Sequence, residues 1–412
     1  MSKRALGLIF LTVFIDLIGF GLIIPVMPSY AKELHASDFA VGLLIAAYSF
    51  MQLIFAPILG RLSDHAGRRP ILLFSLAASA IGYMIWGMSS SLTVLFISRL
   101  VQGAGNANIP VAQAYVSDVT TAENRAKGMG LIGAAFGLGF VLGPALGGFF
   151  VSPVFQHFIT SIIPGLDLST HLSGLRLIGY VAAGISIIDL ILTFFLLPEP
   201  EKRSQAASER FSLEPAFYFE TLNNAKLKTS LLIFFMSTFA FANMEATIVL
   251  LTQQKFNFGP FENSMMFTYI GLLIVFVQGG MIHRLAKKYG EKHLIAVGTM
   301  LVSLGLLLIP FSPSVPNFIL LAIALALLAF GSGINNPSNQ SLLSKLGSPE
   351  KIGGILGVGQ SLSTLGRILG PIIGAAAFQY LGYASPYFIG AIVMVVAFIF
   401  SFSLPNLNEA KL

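Results

Sequence analysis

Two acidic residues stand in segments otherwise suited to hydrocarbon. Asp16 interrupts FIDLIGFGLIIP (Phe14–Pro25), and Glu245 interrupts an apolar run 229 residues later. A carboxyl group exposed first to one side of a bilayer and then to the other is suited to taking up and releasing a proton. Arg99, at the head of RLVQGAGNA, is the matching cation. A guanidinium in lipid-like surroundings is costly unless paired or hydrated, so it is a functional candidate by default. Its plainer alternatives are an ion pair or a carbonyl tether between helices. Asp16 and Glu245 form the candidate proton-coupling pair, with Arg99 a functional candidate beside them. Asp118 and Asp189 are further acids at or inside apolar runs. Asp189 suits a structural partnership at least as well as coupling. The six histidines all fall in connecting segments, which argues against an imidazole relay.

Amide and hydroxyl side chains supply a second set, the candidate substrate cavity. Gln102, Asn106 and Gln113, with Asn108 among them, lie in one apolar run, and Asn335 and Asn339 lie in another. Tyr48, Gln52, Phe241, Asn243, Met244 and Gln278 are candidate walls. Interhelical hydrogen bonds, worth about 0.6 kcal/mol each in a membrane, would use the polar members of this set equally well.

These residues need elements to hold them. The chain has 412 residues, 55% hydrophobic and 10% charged, with mean hydropathy +0.82. Soluble domains carry about 25% charged residues, so the excess apolar surface must face lipid. With roughly 20 apolar residues needed per crossing, twelve spans are expected. The first six cover about 5–28, 39–60, 71–90, 92–116, 128–150 and 175–197. The other six cover about 229–252, 264–285, 293–311, 316–341, 352–380 and 384–404. The basic start and apolar run at the N-terminus lack a cleavage site of the A-x-A type, and read as a first span.

Charge gives an independent check. With both termini cytoplasmic, 19 of the 24 basic residues fall inside and only Lys32 and Lys255 outside, as the positive-inside rule requires. The net charge of +6 thus reflects basic cytoplasmic loops and no nucleic-acid partner. The expected organisation is an N-terminal six-helix bundle (1–198), a cytoplasmic linker (199–228, part of it amphipathic or simply flexible) and a C-terminal six-helix bundle (229–412). The halves echo each other: LGFVLGPALGG at Leu138–Gly148 matches LGRILGPIIGA at Leu365–Ala375, 227 residues on. The fold class is therefore an all-α membrane protein with two pseudo-symmetric bundles, an architecture of transporters.

Two segments carry the strongest patterns. In GRLSDHAGRRP (Gly60–Pro70), Gly60 is expected to let a helix end and pack closely. Asp64 is expected to accept hydrogen bonds at the start of the next helix. In the fifth span Gly139, Gly143, Gly147 and Gly148 permit close helix contact, while Pro144 frees a backbone carbonyl and bends the helix. GRLSDHAGRRP resembles the signature loop of the major facilitator superfamily at every defined position. The resemblance implies a cytoplasmic gate formed by Gly60, Asp64, Gly67, Arg68, Asp118 and Arg125. RLVQGAG resembles the R-x-x-Q-G-x-G element of proton-coupled members, in which the arginine is linked to proton transfer. GFVLGPALGG resembles the antiporter motif found mainly in exporters.

Within that superfamily the chain looks most like the twelve-span drug/proton antiporters of the tetracycline-efflux type, with DLIGFGLIIPVMP and YSFMQLIFAPILGRLSDHAGRRP adding to the likeness. Those pumps carry further coupling residues where Gly82, Ile274 and Val302 stand here, so a different substrate is expected. The resemblance implies a monomeric, proton-driven antiporter of the bacterial inner membrane that exports a small amphipathic compound by alternating access. An exporter of a sugar, lipid-like molecule or metabolite is the alternative, and a non-transporting sensor a remote one. The chain lacks cysteine, a H-E-x-x-H pair and a phosphate-binding G-x-x-x-x-G-K-[ST] loop. No metal, cofactor or enzymatic activity is expected, and the energy source would be the proton gradient.

Overall fold

The computed structural model describes residues 3–162, 171–200, 215–313, 318–347 and 351–405, and these contain helices but no strand. Helix is the element in which an apolar segment satisfies all its backbone hydrogen bonds internally, as a bilayer demands. The first half holds α1 (Lys3–Ile23), α2 (Met27–Glu33), α3 (Asp38–Ala66), α4 (Arg68–Gly87), α5 (Leu92–Gly105), α6 (Ile109–Val119), α7 (Ala122–Val151), α8 (Pro153–Ile162) and α9 (His171–Leu196). The second half holds α10 (Pro215–Asn223), α11 (Ala225–Phe256), α12 (Pro260–Phe276), α13 (Ile282–Leu308), α14 (Ile319–Leu346), α15 (Ile352–Leu381) and α16 (Ser385–Ser401).

Nine stretches among the described residues are long and apolar enough to cross a bilayer. The longest, Pro260–Phe311, spans 52 residues. It passes through a π-helical turn at Val277–Met281 and breaks at Gly290, where φ is +77°, so it supplies two crossings. The fourth span is divided between α5 and α6, and α16 is a shorter apolar helix of 17 residues. With these the chain makes twelve crossings.

Two expected boundaries move. α3 runs on through Gly60 to Ala66, and the chain turns at Gly67, whose φ of +101° suits a residue without a Cβ. The expected helix end at Gly60 is therefore corrected to Gly67. A Cβ on Gly60 would meet nothing within 4 Å, so the close packing expected of it is also absent. The fourth span is interrupted at Asn106–Asn108, because Pro110 lacks the N–H that would close a helical bond to the Asn106 carbonyl. Gln52 Nε2 satisfies that carbonyl instead at 3.1 Å.

The chain forms two compact units, Met1–Glu209 with Phe258–Tyr269, and Arg210–Asn257 with Ile270–Leu412. In the first, Leu6, Ile9 and Val13 of α1 pack with Val111, Tyr115 and Val116 of α6, and with Ile132 and Ala135 of α7. In the second, α10 packs Phe217, Tyr218 and Leu222 on a cluster of Leu227, Leu231, Leu343, Ile355 and Val358. Glu220 meets Lys351 at 2.8 Å there. The last part of the linker region is thus a helix docked on its own bundle. Residues 201–214 of that region lie outside the described residues.

Candidate functional site

Asp16 sits at the break in the fourth span. It is 5% exposed, on a face of α1 turned toward α6. Asn108 Nδ2 donates to Asp16 Oδ2 at 3.2 Å. In the amide orientation that satisfies all its neighbours, Asn106 Nδ2 donates to both carboxylate oxygens at 2.6 and 2.7 Å. Its Oδ1 then accepts from Tyr48 Oη at 3.0 Å. Without the break, neither side chain would leave a helix end at this point. The discontinuity, a consequence of Pro110, turns two amides onto one acid.

Arg99 joins the same network from the other side. It is 2% exposed, donates from Nη1 to Gln102 Oε1 at 2.7 Å, and lies over the Tyr48 ring with Cζ 4.5 Å from its centroid. Gln102 Nε2 in turn donates to the Gly82 carbonyl at 3.2 Å. Arg99, Tyr48, Asn106 and Asp16 therefore form a continuous run of contacts through the first unit. Gly103 and Gly105 allow this, since a Cβ on them would strike the Tyr48 carbonyl at 2.3 Å and Ser79 N at 2.7 Å. Of the expected cavity residues, Tyr48, Gln52, Gln102 and Asn106 belong to this network, and Gln113 is exposed. Asn108 was visible in the sequence only as one polar residue among several, and Tyr83, whose ring lies 3.2 Å from a Cβ placed on Gly19, gave no signal.

The glycines of the fifth span hold α1 in place. A Cβ on Gly143 would fall 2.6 Å from Gly21 Cα, one on Gly139 2.6 Å from Leu17 Cβ, and one on Gly147 3.0 Å from the Leu22 carbonyl. Gly148 faces Ser264 in the Phe258–Tyr269 part of the same unit. Pro144 lies inside a helix that continues on both sides. These residues thus press α7 against the helix that carries Asp16.

At the α3–α4 turn, Arg68 gathers the acids. Its Nη1 lies 2.6 Å from Asp64 Oδ1, and its Nε donates to Asp118 Oδ2 at 2.9 Å. Asp64, expected at the start of α4, instead occupies the last turn of α3. The carboxylate at the start of α4 is Glu199, which accepts from Arg68 N at 2.7 Å and Arg69 N at 2.9 Å. Only the tertiary fold could bring a residue from the end of the sixth span to this point. Arg125 lies outside the residues whose side chains are described.

The second unit repeats the turn with charges reversed. Gly290 precedes the buried Glu291, which pairs with Lys345 and accepts from Ser341 Oγ at 3.0 Å. Lys345 follows Asp118 by the 227 residues that also separate Pro371 from Pro144. The other candidates of this unit are spread along it. Glu245 and Phe241 are partly buried on α11, Met244 is buried and Gln278 exposed. Asn243 donates to the Pro386 carbonyl at 2.8 Å, Asn335 to Ser237 Oγ at 2.6 Å, and Asn339 to the Ser230 carbonyl at 3.1 Å. The three asparagines thus make interhelical bonds.

The chain as a whole is similar to known proteins. The family model of the Major Facilitator Superfamily matches residues 9–286 and 231–411. The chain belongs to this superfamily. It is 33% identical over 396 residues to tetracycline resistance protein class H of Pasteurella multocida, covering 92% of this chain and 90% of that one. It is 28% identical over 398 residues to multidrug resistance protein 2 of Bacillus subtilis, covering 93% and 91%. The crystal structure of the human organic anion transporter MFSD10 superposes with a TM-score of 0.69 at 26% identity, over 97% of this chain and 99% of that one. The protein is accordingly an integral, multi-pass membrane transporter of small molecules, and not an enzyme.

Proposed function

We propose that the protein is a proton-driven antiporter that exports a small amphipathic compound by alternating access. The observation that carries this reading is Asp16, buried in the first span and held by the amides of Asn106 and Asn108 at the break in the fourth. Such a carboxyl can exchange a proton for a change in its amide contacts. Substrate entering from the cytoplasm displaces the proton, and a proton from outside resets the carrier. Arg99 adjusts the network through Tyr48, Asp64, Arg68 and Asp118 latch the cytoplasmic end, and Glu245 is the second acid. The relatives named for tetracycline and multidrug resistance support export across a bacterial inner membrane, and the 19-to-2 bias of basic residues supports cytoplasmic termini. The glycines of the fifth span, which resemble a motif found mainly in exporters, support export over uptake.

The test is uptake into inverted vesicles under an imposed pH gradient, with tetracycline, ethidium and an organic anion dye as probes. Gradient-dependent accumulation of at least one probe, lost in Asp16→Asn, is expected. Accumulation that persists in both Asp16→Asn and Glu245→Gln would remove the proton-coupling assignment.

A further inference from the structure

The sixth span is built inside out. Ile187, Ile188, Ile191, Phe194 and Phe195 of α9 are exposed, whereas Ser186, Asp189 and Thr193 are each no more than 2% exposed. Their spacings of three and four place these three on one helical face. Thr193 Oγ1 donates to Asp189 Oδ1 at 3.3 Å and lies 2.9 Å from Thr12 Oγ1 of α1. Thr12 is one turn from Asp16 on the same face of α1. Asp189 Oδ2 has no close hydrogen-bond partner among the described residues, although the Thr12 hydroxyl also stands near enough to act on this carboxyl. Buried polar atoms are nearly always partnered, and an exception calls for an explanation such as a catalytic role or a bound species.

We propose that Asp189 is a further proton-binding carboxyl, level with Asp16 and coupled to it across the Thr12–Thr193 hydroxyl pair, which lies on the cytoplasmic side of both acids. In the transfer one O–H bond breaks at Asp16 and one forms at Asp189. The proton count and charge of the pair are unchanged, and the proton then leaves to cytoplasmic water. This inference rests on the proton-driven reading above.

The surroundings of Asp189 suit this role. α9 packs against α1, α2, α4 and α7. From α1 comes Asp16, near enough to act on Asp189 electrostatically. From α4 comes Arg69, which is engaged farther along by the Phe194 carbonyl and ring. From α2 comes Tyr30, bonded to the Ser89 carbonyl at 2.7 Å. α7 brings no charged side chain to it among the described residues.

Infrared difference spectroscopy of the purified protein in lipid vesicles, titrated from alkaline to acid buffer without substrate, tests the proposal. Carbonyl bands of both Asp16 and Asp189 should titrate, with the Glu245 band assigned separately through Glu245→Gln. Asp189→Asn should remove its own band and shift that of Asp16, Asp16→Asn should do the converse, and Asp189→Glu should restore a band. If Asp189→Asn is not recovered folded, Thr193→Val leaves both acids present and should abolish the mutual shift. A wild-type set of bands in Asp189→Asn, or an unchanged mutual shift in Thr193→Val, overturns the proposal. Should the Asp16 band alone titrate, the proton-driven reading stands and this inference falls. If neither acid titrates, both fall.

Discussion

Tyr48 and Asn106 connect Arg99 with Asp16, and this arrangement decides what substitutions should do. Arg99→Lys keeps the charge but loses the flat contact with Tyr48 and the guanidinium geometry at Gln102. Gradient-driven transport should fall about tenfold or more, which a direct comparison of initial uptake rates would measure. Asn108→Ala removes one of the amide donors to Asp16, and should move the pH profile of transport while leaving the protein folded. A profile identical to wild type would exclude Asn108 from the proton site. At this scale the sequence was legible where a charge interrupts an apolar run, since Asp16, Arg99 and Asp189 announce themselves by type alone. Tyr83 and Glu199 were not legible. One looks like any aromatic in a membrane helix, and the other acquires its role only when the end of α9 meets the start of α4.

Helices decide which glycines matter. Gly60 and Gly143 both belong to patterns of the superfamily, but only Gly143 lies against backbone, 2.6 Å from Gly21 Cα when a Cβ is added. Gly143→Ala should destabilise the bundle by about 1–3 kcal/mol through forced separation of α1 and α7, seen as a lower melting temperature and reduced transport. Gly60→Ala lies in an open stretch inside α3 and should stabilise by about 0.5–1 kcal/mol. Equal effects of the two substitutions would contradict this account. Hydropathy revealed every crossing, because a span is a property of composition over about 20 residues. It could not reveal that the fourth crossing breaks at Asn106–Asn108, although Pro110 was the available signal. Nor could it separate a motif glycine that ends a helix from one inside it, because that depends on where φ turns positive, at Gly67.

For the whole molecule, topology and coupling are the two claims to test. The chain contains no cysteine, so single cysteines report sidedness without background. Lys32→Cys should react with a membrane-impermeant maleimide added outside, and Lys287→Cys only after permeabilisation. The repeat extends to the two basic turns, where Arg68 with Asp118 in the first unit corresponds to Glu291 with Lys345 in the second. Lys345→Met leaves Glu291 buried without its cation, and should lower stability by about 1–3 kcal/mol in thermal unfolding, with Lys345→Arg closer to wild type. The central claim is that a proton on Asp16 drives export. The most direct measurement is substrate-dependent proton movement in proteoliposomes, followed with an internal pH dye. Wild type should release protons against substrate flux, and Asp16→Asn should exchange substrate without moving protons. Proton flux that survives in Asp16→Asn would contradict the account.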